Sequence, residues 1–331
     1  MVIIRRTARC VAALAAIAVV APGIARAEVN LYQATVSVPD AGEAARSAGF
    51  SEALRSVAVR VSGSLGAASN AEIRQAAANP SRYVQQYSTT GQGLRVGFDR
   101  DAVDDLLLRA GLPLWPAERP VTLVLLATDS TGARALIDGE PASERAALDA
   151  AAEYRGIELL WPQTRMDILA ARERAASGAL RELARAAGGS EAQAVLIGVP
   201  GGAGVEWQLF YDGGTRGEVG SAGDGADIAA DAFAARYATP ATRNLSRIDV
   251  WVGNVPDLRS YAGLLDYLGS LSMVRELHVE QARRDAVRVE LTMRGDRELL
   301  SRIGALDGRL QPAQQDAVGD GAAGVDFLYH P

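Results

Sequence analysis

Histidine, cysteine and lysine carry much of side-chain catalysis, and this chain has little of any. It has two histidines, His278 and His330, and one cysteine, Cys10. All 34 of its basic residues are arginine. Without lysine there is no Schiff-base enzyme and no lysine-bearing phosphate loop. Two histidines cannot make a multi-histidine zinc site, and their placement does not suit a histidine-based triad. His278 falls in an alternating strand pattern and reads as a solvent-facing residue. His330 is the penultimate residue and reads as frayed. The nearest approach to a serine-hydrolase elbow is Val219-Gly220-Ser221-Ala222-Gly223, with its first glycine displaced by one; it reads as a turn. The run Gly198-Val199-Pro200-Gly201-Gly202-Ala203-Gly204 follows a strand but leads into another strand. It has no helix N-terminus to meet a phosphate and reads as a flexible connection.

Carboxylates and arginines are what remain. Asp101, Asp104 and Asp105 occupy the first turns of a predicted helix, where the dipole favours them. Asp320 and Asp326 lack the spacing of a calcium hand. Arg119 and Arg155 stand beside the ends of apolar strands and are placed to pair with Asp129 or Asp167 across a cleft. Trp161 lies next to that region. Arg119, Asp129, Arg155, Trp161 and Asp167 are therefore the candidate interaction or anion cleft. No catalytic residue, metal ligand or cofactor is assigned.

The elements that must position these residues fall into three units. The first, 28–111, opens with a strand at 31–38, where polar and apolar residues alternate. Asp40 is placed to cap a helix that runs to Val61 and stops at Gly63. A shorter helix capped by Asn70, a hairpin about Gly91-Gln92-Gly93 and a helix capped by Asp99 follow. Residues 112–120 hold Pro113, Pro116 and Pro120, which exclude helix and central strand, so this is a linker. Trp115 packs it onto a neighbour. The second unit, 121–238, begins with a nearly continuous apolar strand of the kind buried on both faces. It then alternates strands and helices and adds a hairpin about Asp212-Gly213-Gly214. The third unit, 245–331, reads β-α-β-β-α-β, the order of the ferredoxin-like sandwich, with a mobile loop at 304–324. The fold class is α/β and α+β, in three small layered domains.

The N-terminal segment speaks of location. Arg5, Arg6 and Arg9 precede an apolar run, and Ala25-Arg26-Ala27 closes it with small residues. This is the layout of a secretory signal peptide over residues 1–27, cleaved after Ala27, which implies a periplasmic protein. Loss of the segment's four arginines moves the formal charge from −6 to −10. So acidic a chain is a poor binder of nucleic acid. Cys10 leaves with the segment, so no disulfide is expected. No later stretch is long and apolar enough to span a membrane after cleavage.

Several phrases in order resemble an uncharacterised family of exported proteobacterial proteins, domain of unknown function 2066. They are Leu31-Tyr32-Gln33-Ala34-Thr35-Val36-Ser37-Val38, Arg60-Val61-Ser62-Gly63, Arg119-Pro120-Val121-Thr122-Leu123-Val124-Leu125-Leu126-Ala127, Arg155-Gly156-Ile157 and Ala194-Val195-Leu196-Ile197-Gly198. The second unit looks like the α/β domains of periplasmic assembly proteins, such as the amino-terminal domain of the translocation protein TolB. The resemblance implies no established activity. The expectation is a non-catalytic periplasmic factor that binds another envelope protein. Two alternatives stay open. One is a glycosidase-type hydrolase using two carboxyls roughly 5 to 9.5 Å apart. The other is a small-ligand carrier with its site at the strand ends of the second unit.

Overall fold

The computed structural model describes residues 30–331 except 41, 92, 189–191, 243 and 314–323. The expected signal peptide with Cys10, and residues 314–323 of the expected 304–324 loop, lie outside the described residues.

In the first unit, β1 (Gln33–Val36) precedes α1 (Glu43–Ser62) and α2 (Ala71–Ala77). Then come β2 (Val84–Thr90), β3 (Gly93–Phe98) and α3 (Arg100–Arg109). The strands form an antiparallel sheet in the order β1-β3-β2. Asn70 and Asp99 cap their helices as expected, accepting from Glu72 and Ala102 amides. Asp40 does not cap α1. Its carboxylate accepts from the Gly42 amide, and Gly42 holds the cap position. The C-terminal half of α1 is buried all round, which is the mark of a helix between two layers. It lies between its own sheet and the next unit. Gly63 ends it at φ 71°, and a Cβ there would stand 2.6 Å from the Ala234 Cβ and 2.9 Å from the Trp115 ring. Both the left-handed backbone and the close approach require glycine at this point.

The second unit contains β4 (Thr122–Leu126), α4 (Ser143–Arg155), β5 (Leu159–Leu160), α5 (Ile168–Ala176) and α6 (Leu180–Ala186). It continues with β6 (Ala194–Gly201), β7 (Gly204–Tyr211), β8 (Gly214–Gly220) and α7 (Asp224–Tyr237). The sheet order is β5-β4-β6-β7-β8, parallel over the first three strands and antiparallel beyond. Every residue of β4 is buried, because helices cover both faces. The turn between β7 and β8 has positive φ at Asp212 and Gly213, which suits the twist of a two-residue hairpin. The glycine run after β6 is not a flexible connection. Strands β6 and β7 stay paired down to Gly201 opposite Gly204.

The third unit contains β9 (Ser246–Gly253), α8 (Leu258–Ser270), β10 (Val274–Ala282) and β11 (Ala286–Met293). It ends with α9 (Arg297–Asp307), β12 (Leu310–Pro312) and β13 (Phe327–Tyr329). The order β10-β11-β9-β13 follows the expected sandwich, but β13 runs parallel to β9. The reason is an extra strand. After α9 the chain returns as β12, and β13 then turns back antiparallel to it, between β12 and β9. Residues 304–307, placed in the expected loop, are the end of α9. His330 is not frayed, since its amide donates to the Arg309 carbonyl at 2.8 Å.

The linker is a seam rather than a spacer. Leu114 and Thr239 exchange two backbone hydrogen bonds, and the Trp115 amide donates to the Val61 carbonyl at 2.8 Å. Trp115 itself is buried in an apolar cluster that runs from the second sheet through α7 into the third unit. One face of the second sheet therefore shares a core with the third unit, its other face packs on α5 and α6 in a separate core, and the first unit keeps its own.

Candidate functional site

Arg119 sits at the end of the seam, just before β4. Its guanidinium stacks on Trp115, 3.7 Å from the ring centroid. Nε donates to the Pro116 carbonyl at 3.1 Å. Nη1 donates to the carbonyls of Arg155 at 3.1 Å and Gly156 at 2.8 Å. Nη2 donates to the carbonyls of Arg60 at 2.7 Å and Trp115 at 3.4 Å. A guanidinium has five N–H donors, so all are used, and none meets a carboxylate. One side chain thus ties the end of α1, the linker and the end of α4. Burial, and then the charge of Arg60, push this guanidinium down to about 9. It remains a cation at neutral pH. Gly156 makes room for it. At φ 70°, a Cβ there would stand 2.4 Å from the Arg60 Cγ and 2.6 Å from the Arg119 Nη1.

Arg155 is 0% exposed and takes a different solution. Nη1 bonds Asp227 at 2.6 Å and Nη2 bonds Asp231 at 2.5 Å, both on α7. Nη2 also donates to the Gly63 carbonyl at 3.0 Å. Asp227 and Asp231 are one helical turn apart, so they present a paired acceptor to one fork. Arg60 donates to the Gln33 carbonyl at 2.6 Å. Burial lowers its pKa as well.

A second ring of contacts brings in the third unit. Tyr32 donates to Asp104 at 2.7 Å, and Arg275 bonds the other oxygen of Asp104 at 2.9 Å. Burial raises the Asp104 carboxyl above its ordinary value, while the Tyr32 hydrogen bond and nearby arginines pull it back. Glu118 accepts from the Ser272 amide and hydroxyl, both at 2.7 Å. Gln193 donates to the Leu306 carbonyl at 3.0 Å. Between these ties lies a cleft of about 1050 Å³ with walls from all three units. Its floor is Trp115 and Arg119.

The other sequence candidates are elsewhere. Asp129 lies beyond the opposite end of β4 from Arg119, so the two cannot pair. It accepts instead from the Thr131 amide and hydroxyl, and those bonds lower its pKa. Asp167 caps α5 through the Ala170 amide and does not meet Arg155. Trp161 donates to Asp149 at 2.9 Å and lies under Arg145. These three residues mark the C-terminal ends of the parallel strands, where the small-ligand alternative places its site. There the chain folds back over the sheet. Leu136 donates to the Leu126 carbonyl, Ala135 to Met166 and Asp138 to Pro162.

Two residues at the junction escape a sequence reading based on helix ends. Asp104 looks like one of three dipole-favoured acids, yet it is buried and bridges two units. Arg60 does carry a signal. It is the one charge in the apolar run Val57-Ala58-Val59-Arg60-Val61, and a charge inside such a run needs fixed partners.

A family model described as a domain of unknown function (DUF8605) matches residues 25–116. The match fits an uncharacterised domain, though of another number than 2066, and covers the first unit with part of the seam. No curated protein and no solved structure matches the chain.

Proposed function

We propose that this chain is an exported envelope protein that works by contact with a partner protein rather than by turnover. The observation that carries this reading is the open edge of the second sheet. Strand β8 is hydrogen-bonded on one side only, by β7, and six of its seven residues are exposed. Such an edge presents unpaired amides and carbonyls to an incoming strand. The nine-residue β10 is a second open edge, on the third sheet. The chemistry of the cleft leans the same way. Asp104, Glu118 and Asp307 all accept structural hydrogen bonds, the last from Tyr267 at 3.3 Å and the Arg309 amide at 2.9 Å. Among the described residues no group of three or more metal-ligating side chains occurs, and no helix is long and apolar enough to cross a membrane. The leader-like residues 1–27 support an address in the periplasm.

Photo-crosslinking residues placed at Thr215, Glu218 and Glu280 test the reading in living cells. The expected result is an adduct with one discrete envelope protein from at least one edge, on a chain shortened after Ala27. No discrete adduct from any position would remove the contact reading. A full-length chain in the cytosol would remove the address. Hydrolysis of a cell-wall glycan, abolished by a carboxylate substitution in the cleft, would put the glycosidase reading in its place.

A further inference from the structure

We propose that the cleft between the three units binds a small organic oxyanion, a carboxylate- or phosphoryl-bearing molecule, through Arg181, Arg185 and Arg294 above the half-buried charge of Arg119. The inference stands apart from the contact reading and needs no partner protein.

Charge is the first argument. Six arginines line the cleft, Arg100, Arg119, Arg181, Arg185, Arg275 and Arg294, against four acids. This excess occurs in a chain of formal charge −6. None of the acids is free, Glu158 included. Asp104 is held by Tyr32 and Arg275, and Glu118 by Ser272. Asp307 accepts from Tyr267 and the Arg309 amide.

The second argument is donor supply. Arg181 and Arg185 are one turn apart on α6 and both line the cleft, so their forks share a face. Neither has an acidic partner among the described residues. Arg294 donates only weakly, to the Thr242 carbonyl at 3.4 Å, and its buried Nε has no hydrogen-bond partner. Planar guanidinium forks of this kind match carboxylate and phosphoryl oxygens.

The third argument is the floor. Arg119 has spent its five donors on carbonyls and is paired with no carboxylate, and Arg60 lies behind it. Arg60 is buried and Arg119 half-buried, their like charges repel, and neither forms an ion pair among the described residues, so an anion in the cleft relieves that cost. The volume of about 1050 Å³ lies at the upper end of the range for small-molecule sites.

Thermal melting of the purified chain at low salt tests the proposal, with citrate and inorganic pyrophosphate as probes. At least one probe at about 10 mM should raise Tm by several degrees, saturably, and less as salt is added. Citrate alone would mark the carboxylate source and pyrophosphate alone the phosphoryl source. The double variant Arg181→Ala, Arg185→Ala should melt normally without probe but bind about tenfold more weakly. Arg216→Ala, an exposed arginine on β8, should bind as the unchanged chain does. No shift with either probe overturns the proposal. So does equal binding by the double variant, which would mean an adventitious ion only. Binding of a hexaglutamate peptide but of neither small anion would also overturn it, in favour of an acidic protein segment as the occupant.

Discussion

The two ends of the second sheet are opposites. In open α/β sheets ligands usually sit beyond the C-terminal ends of the strands. Here that end is closed by the chain's own backbone, with Asp129, Trp161 and Asp167 each absorbed in a local contact. The N-terminal end holds the cleft, the unmatched arginines and the seam. The difference shows that packing three units against one sheet can move the polar cavity away from its habitual place. What decides the location is where desolvated charge has been concentrated, and that was settled by Arg119, Arg155 and Arg60.

Substitutions at the two ends should therefore differ sharply. Arg119→Ala strands five carbonyls on three segments at once. It should cost about 4 kcal/mol in urea unfolding. Arg119→Lys should recover little, since an ammonium cannot reproduce a planar five-donor fork. Arg155→Ala should cost less, about 2–3 kcal/mol, because Asp227 and Asp231 are partly exposed and regain water. At the other end, Asp167→Ala removes one helix cap and should cost about 1 kcal/mol. Asp129→Ala should leave the unfolding midpoint unchanged. A large effect at Asp129 or Asp167 would break the contrast between the ends.

An alkaline titration sharpens it further. Burial raises the hydroxyl pKa values of Tyr32, Tyr211 and Tyr267 above the ordinary tyrosine value. The native state then keeps protons that the unfolded chain loses near about pH 10. The stability these groups contribute is complete below that pH and is lost progressively above it, as pH rises toward and through the raised native values. Tyr32→Phe should flatten the loss measured between neutral and strongly alkaline urea curves, as Tyr32 faces the cleft beside Asp104.

Much of the framework could be read from residue pattern alone. Gly63 and Gly156 end their helices in the left-handed conformation, Asn70 and Asp99 cap theirs, and the nearly continuous apolar run that contains 122–126 is an interior strand. These are local signals, fixed by a few neighbouring residues. The site was less legible. Arg119 precedes β4 and Arg155 ends α4, and neither meets the partner that the sequence suggests for it. Asp227 and Asp231 are 72 and 76 residues from Arg155 in sequence, and Arg119 bonds carbonyls, which any residue supplies. Residue type reveals nothing about a carbonyl acceptor. The reversal of β13 was also hidden, because a three-residue β12 carries too little pattern to be seen beside a glycine-rich stretch.

Hydrogen exchange of the Arg119→Ala variant, compared with the unchanged chain, bears most directly on the junction. If the Arg119 guanidinium holds the units together, amides at the end of α1, through the linker and at the end of α4 should lose protection together. Those in the interior of the third sheet should keep theirs. Unchanged protection at all three segments would contradict the account and show that the apolar cores alone hold the units in place.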